Sequence, residues 1–297
     1  MKFQKKDDSL SFPWAILLWS LLIYGGLGLV PTHLQGIEVS FRFSAGLGRS
    51  NFNLINRSLD SYREKLKREA SVQGWTMSRE SPGHLETGSE VEAGLEVKLR
   101  QRLGFNLCTG FIHYEVNEDK TALIIARDGG NQVYARPTKV SAIPVSLSLV
   151  YFLPVKEKLQ AYFRAGGGLC LVRYIDREAN RKESDAKFVY PVYQNASASS
   201  PFLFGGAGFS FQIETTLALT AEINYRVFKA QGLEGENKAG KRGPLEFYEE
   251  FLPSVNYWQA KVIIVTSEPD PQFIRSRQRL VVDLTGFSFK IGMTARF

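Results

Sequence analysis

From Ile37 onward, apolar and polar residues alternate with a period of two. Ile37, Val39, Phe41, Phe43, Ala45 and Leu47 interleave with Glu38, Ser40, Arg42, Ser44 and Gly46. Val91, Ala93, Leu95, Val97 and Leu99 interleave with Glu90, Glu92, Gly94, Glu96, Lys98 and Arg100. Leu217 to Val227 repeats the pattern, and the chain closes on it: Phe287, Phe289, Ile291, Met293, Ala295 and Phe297 share one side. Alternation of this length predicts β-strands with one apolar face. Weaker versions over 104–127, 132–152, 158–174 and 201–214 bring the number to eight, the last covering 279–297.

The connections between these segments alternate in length. Those around 101–104, 154–158 and 214–216 are short, whereas 48–86, 117–137, 175–200 and 228–278 are long. Tight turns at one rim and long loops at the other are the rhythm of an antiparallel up-and-down barrel. An immunoglobulin-type sandwich has shorter strands, usually about 5 to 6 residues. The small residues orient the faces. Gly46, Gly94, Gly110, Gly166, Gly168, Gly206, Gly208 and Gly292 lie mostly on the polar side, and bulky aliphatics and phenylalanines fill the other. An eight-stranded barrel has an interior just wide enough for side chains. The polar side therefore points inward, and the apolar side faces hydrocarbon. A closed sheet also pairs its own backbone groups, as a lipid environment demands.

Composition adds little for such a chain. Hydrophobic residues are 44% and charged residues 23% of the sequence, because alternation averages the two faces. The formal net charge of +7 is spread along the chain, and no compact basic tract, zinc spacing or phosphate-cradling glycine loop occurs. Neither nucleic acid nor a metal or other cofactor is expected. Cys108 and Cys170 are the two cysteines; both fall on the inward parity, on strands that are not neighbours, and are expected to stay unbridged.

Residues 1–36 differ from the rest. Lys2, Lys5 and Lys6 precede the apolar run from Pro13 to Val30, the pattern of an export signal. Cleavage near Gly36 would remove three lysines and two aspartates and leave the barrel, 37–297, at +6. The run also approaches the roughly 18 to 20 apolar residues of a membrane anchor, the competing reading.

With its export segment, eight alternating segments and terminal strand GFSFKIGMTARF, the chain resembles the small bacterial outer-membrane β-barrels of the OmpA-like and OmpW-like type. The resemblance spans about residues 37–297 and also takes in the GxG character of FSAGLGRSNF, 43–52. It implies short periplasmic turns, long extracellular loops and transit with periplasmic chaperones. It implies further that the barrel-assembly machinery reads Phe289, Ile291, Met293, Ala295 and Phe297. The peptidoglycan-binding domain of OmpA lies beyond the resemblance, so no cell-wall tether is expected.

Within the barrel, Arg42, Glu96, Arg164, Glu222 and Lys290 fall on the inward parity at broadly similar depth. Buried charges are costly alone, so these are expected to pair, Arg42 with Glu96 and Glu222 with Lys290. Such a layer either plugs the lumen or gates a narrow water path by exchanging partners. Outside it, Ile55, Leu59, Tyr62 and Leu66 recur at helical spacing in the first long connection. The opposite face of that helix carries Arg57, Arg63, Lys65, Lys67 and Arg68, either a solvated lid or a contact for lipopolysaccharide phosphates. In the fourth connection Pro244 is a possible helix start. Phe247, Tyr248, Phe251, Tyr257 and Trp258 suit a membrane-interface belt or an apolar pocket. Residues 261–265 read as a further strand, which with a partner would make ten. Residues 122–135 read as a projecting hairpin turning at Gly129 and Gly130.

Function follows from these options. The leading expectation is a structural or surface-interaction barrel with a plugged lumen, in contact with outer-membrane lipid. A porin-like channel or lateral route for small apolar molecules is the second. A lipid-modifying enzyme built around His113 is the third, and no catalytic set is assigned.

Overall fold

The computed structural model describes residues 37–100, 102–127 and 130–297. Residues 1–36, read above as an export signal, and Gly129, where the hairpin is expected to turn, lie outside the described residues. Eight strands form a closed ring: β1 Glu38–Arg49, β2 Thr87–Arg100, β3 Leu103–Val116, β4 Thr138–Lys156, β5 Leu159–Lys182, β6 Val189–Gln212, β7 Leu217–Val227 and β8 Gly286–Arg296. Each pairs antiparallel with the next, and β8 closes on β1, with Phe43 opposite Met293.

The stagger of the ring can be read from the register. From Glu38 the hydrogen-bonded row passes through Lys98, Gly104, Val150, Arg164, Gly206, Asn224 and Ser288, and returns to β1 at Gly48, ten residues along. A ten-residue stagger over eight strands spaced ~4.8 Å apart implies a strand tilt of about 40°.

The two faces of the wall are unlike. Leu203, Phe287 and Leu169 on the outside are 67%, 63% and 61% exposed, whereas Arg42, Glu222 and Arg164 inside are buried. Corrected for the tilt, the outward apolar residues form a level band that ends at Leu47, Val91, Phe111, Leu171, Val227 and Phe287 on the long-connection side. Its height is about 27 Å, taken as ~11 residues per strand at ~3.3 Å rise, close to the roughly 25 Å hydrocarbon band of such barrels. The molecule is an eight-stranded antiparallel up-and-down transmembrane β-barrel.

Several elements differ from the sequence expectation. Strands β5 and β6 each run 24 residues and stay paired from Leu159↔Phe211 to Asn180↔Val189, so the third connection is only 183–188. Above the apolar band neither face must be apolar, so alternation fades while backbone pairing persists. Residues 242–252 are a strand, not a helix beginning at Pro244. They pair with Tyr257–Ile264, which includes most of the 261–265 segment. Both strands lie outside the ring, which stays at eight. The expected hairpin is present as Leu123–Arg127 paired with Gly130–Ala135.

Beyond the band the barrel wall flares. On one side β5 pairs with 130–135, then 123–127, then Thr76–Glu80; on the other β6 pairs with Glu234–Asn237, then 242–252, then 257–264. The helix of the first connection, α1 (Asn53–Val72), packs against 257–264 and against 76–80, the two ends of this flared sheet. Its buried residues include Ile55, Leu59, Tyr62 and Leu66, the spacing seen in the sequence. The outer edge of 257–264 is capped by side chains. Ala260 N–H donates to Ser61 Oγ at 2.7 Å, and Ser58 Oγ donates to Ala260 O at 3.3 Å. Gln194 Nε2 donates to Val262 O at 2.9 Å, and Gln194 Oε1 accepts from Ile264 N–H at 2.6 Å. Backbone groups on an exposed edge would otherwise offer a template for another strand.

Candidate functional site: the lumen

Strands of alternating parity send one polar residue in two to the lumen, and the staggered register stacks these at mid-depth. Arg42, Arg164, Arg226 and Lys290 meet Glu90, Glu92, Glu96 and Glu222, four cations against four carboxylates. At the centre, Glu222 is ion-paired with Arg42 and receives Tyr162 Oη at 2.9 Å, Arg164 Nη2 at 2.7 Å and Asn224 Nδ2. Arg164 also grips Glu92 with both Nη atoms, at 2.6 and 3.1 Å. Tyr162 accepts from Arg42 Nη2 at 2.7 Å. Gly206 and Gly208 make room for this layer: a Cβ at Gly208 would lie 2.5 Å from Tyr162 Oη, and one at Gly206 2.0 Å from Asn224 Oδ1.

The five inward charges singled out in the sequence are thus brought together, but their pairing differs from the expectation. Arg42 stands 4.0 Å from Glu96 and makes its close contact with Glu222 on the other side. Lys290 lies beside Glu222 in register, yet its Nζ turns to Glu92 at 2.7 Å and Glu90 at 3.6 Å. Long side chains cross a lumen this narrow more readily than they fold back onto a neighbouring strand. Glu90, Glu92, Arg226, Tyr162 and Asn224 were missed as members, although their inward parity was visible in the sequence. Among the described residues, two small voids flank the layer. One of about 40 Å³ touches Glu92, Cys108 and Lys290, and one of about 20 Å³ touches Glu96, Gln160 and Tyr162. Each is on the scale of a single water molecule. Cys108 and Cys170 are free and buried.

A second layer lies above the first, toward the long connections. There the inward residues become apolar: Ile112, Tyr114, Val140, Val172, Tyr174 and Phe202 pack with Phe52 and Ile55 of the α1 region. Leu245, Phe247, Ala260, Val262 and Ile264 of the outer hairpin complete this core. The sequence carried a signal for it at Leu169, Cys170, Leu171 and Val172, where the run is apolar on both parities and hence buried or lipid-facing on both. Phe247 is wholly buried in this core, and Tyr248, its neighbour in the hairpin, is 7% exposed. Burial pushes the Tyr248 phenol up to about 12. The rings of Phe251 and Trp258 meet at the end of the hairpin, with centroids 5.2 Å apart and planes tilted by 46°.

The cap is tied to the wall by a buried ion pair that the sequence did not reveal. Arg136 Nε and Nη2 donate to Asp176, at 3.2 and 2.6 Å. Arg136 Nη1 donates to the Ser58 carbonyl of α1 at 3.2 Å, and Thr138 Oγ1 to Asp176 at 2.8 Å. Burial disfavours the Arg136 charge, but the Asp176 carboxylate outweighs it and raises the guanidinium well above its usual value. Asp176 lies within 175–200, where the sequence shows no alternation that would place it inside.

Of the five basic residues expected on the outer face of α1, Arg63 is buried, and all five have carboxylate partners. Arg57 pairs with Glu249, Arg63 with Asp60, Lys65 with Glu69 at 3.5 Å, Lys67 with Glu80 at 2.9 Å and Arg68 with Glu64 at 3.0 Å. His113 lies on the outward parity above the apolar band, its Nε2 3.0 Å from Glu115 Oε2.

No protein-family model matches the sequence, and no curated protein does either. Among solved structures, the chain is similar to the outer membrane protein OprG from Pseudomonas aeruginosa, at 10% identity and a TM-score of 0.40, over 89% of this chain and 99% of that one. It is also similar to a major outer membrane protein from Thermus thermophilus, at 11% identity and a TM-score of 0.37, over 87% of this chain and 99% of that one.

Proposed function

We propose that this chain is a bacterial outer-membrane barrel with a structural and surface-interaction role, its lumen shut by the ionic layer and the apolar cap. The observation that carries the reading is the double closure. Four cations and four carboxylates fill mid-lumen, and a dry core of aromatic and aliphatic side chains seals the mouth above them. Ions do not cross such a stack without melting one layer. The long connections then face the outside, built into a flared sheet and a helix rather than left as loops. On this reading the outward residues of β8 and Phe297, exposed at the short-turn rim, are what the assembly machinery engages.

Conductance tests the reading directly. The purified full-length protein, inserted in a planar bilayer, is expected to give no resolved current steps at moderate voltage. Steady ohmic steps in the unmodified protein would replace this reading with the narrow-channel one.

A further inference from the structure

On the long-connection side an open groove of about 700 Å³ runs between α1 and the hairpin of 242–252 and 257–264. Its lining joins two sets that the sequence leaves far apart: Arg57, Arg63, Lys67 and Arg68 of α1, and Tyr257 and Trp258 of the hairpin. Arg275 enters from a third segment.

The cations here are held in set orientations. Arg68 lies over the Tyr257 ring, 4.7 Å from its centre, and Arg275 over Trp258 at 4.3 Å. Stacking fixes the plane of a guanidinium while leaving its edge free to donate. The four carboxylates of the lining act as anchors for these cations. Glu249 holds Arg57 and Arg275, Glu80 holds Lys67 and Arg63, Glu64 holds Arg68, and Asp60 holds Arg63. Five cations against four carboxylates leave an excess of one positive charge in the lining. Arg63 is 6% exposed, and its Nη1 has no hydrogen-bond partner among the described residues. A buried donor without an acceptor is costly, and here it belongs to a groove-lining side chain.

We propose that this groove binds an acidic saccharide, a chain of sugar rings bearing carboxylates. The arginine edges match planar carboxylates. Tyr257 and Trp258, both half-buried, add aromatic edges to the groove wall. An acyl chain would need an apolar lining, and this one is mostly charged. An extended peptide would need a free strand edge, but the edge of 257–264 is capped by Ser58, Ser61 and Gln194. The proposal deepens the surface-interaction reading and rests on it.

The test uses the full-length protein folded in detergent micelles, with calorimetric titration of oligogalacturonate, neutral oligogalactose of equal length, and oligoglutamate. Oligogalacturonate is expected to bind at least tenfold tighter than either of the others, and more weakly as salt rises. Arg275→Gln and Arg63→Gln should each weaken it about tenfold or more, while Lys238→Gln, outside the groove, leaves it unchanged. Heat-shifted migration on gels verifies that each variant is folded, and the exposed Arg275 decides the matter if Arg63→Gln is not. Equal binding of the neutral sugar or of oligoglutamate, no binding of oligogalacturonate by folded protein, or full affinity in folded Arg275→Gln overturns the proposal. None of these results alters bilayer conductance, so the closed-lumen reading stands or falls separately.

Discussion

A single carboxylate organises the barrel interior. Glu222 is ion-paired with Arg42 of β1 and accepts from Tyr162 and Arg164 of β5 and from Asn224 of its own strand. Replacing it with Gln keeps the volume but leaves Arg42 and Arg164 short of counter-charge. Breaking one side of a buried ion pair costs on the order of 3 to 5 kcal/mol. Glu222→Gln is therefore expected to unfold at a lower urea concentration than the parent in the same lipid vesicles. Unchanged urea and heat midpoints, with bilayer current also unchanged, would show the layer to be passive filling. The pairing scheme could not be read from the sequence, because parity tells which side a residue faces and not which charge it reaches. Parity did place Arg42, Glu96, Arg164, Glu222 and Lys290 inside.

At the scale of elements, the lesson lies in β5, β6 and α1. Alternation located the membrane-facing parts of β5 and β6 but faded where the strands leave the apolar band, although their pairing runs on to Asn180↔Val189. The helical spacing of Ile55, Leu59, Tyr62 and Leu66 was legible because α1 is amphipathic against a core. What α1 does was not legible: with Gln194 it supplies side-chain partners to the exposed edge of 257–264. Each such hydrogen bond contributes about 1 kcal/mol net, so the double variant Ser61→Ala, Gln194→Ala should loosen that edge without unfolding the ring. Hydrogen exchange is expected to rise at the Ala260 and Ile264 amides and to stay slow in β1 and β8. Equal protection in parent and variant would show that the edge is covered by other means.

For the whole molecule, the outward band of about 27 Å, estimated from strand rise and tilt, dominates behaviour in water. Leu203, Phe287 and Leu169 are mostly exposed, so hydrocarbon has to cover them. The chain from residue 37 onward is expected to fold to a heat-shiftable, sheet-rich state in detergent or lipid and to aggregate in buffer alone. A folded, monomeric state in detergent-free buffer, seen by sedimentation and circular dichroism, would contradict the outward placement of that band.

The sequence by itself determined the period of two, the positions of eight alternating segments, which residues of a strand share a side and the apolar stripe of α1. All of these follow from local spacing, which a chain must satisfy wherever it folds. Only the tertiary structure decided who pairs with whom. Ring closure with a ten-residue stagger sets which inward charges share a level. The folding of distant connections over the mouth built the apolar cap, the Arg136–Asp176 anchor and the groove between α1 and the outer hairpin. Those contacts join residues from separate strands and connections, far beyond the reach of a strand or helix period, and no local pattern encodes such a meeting.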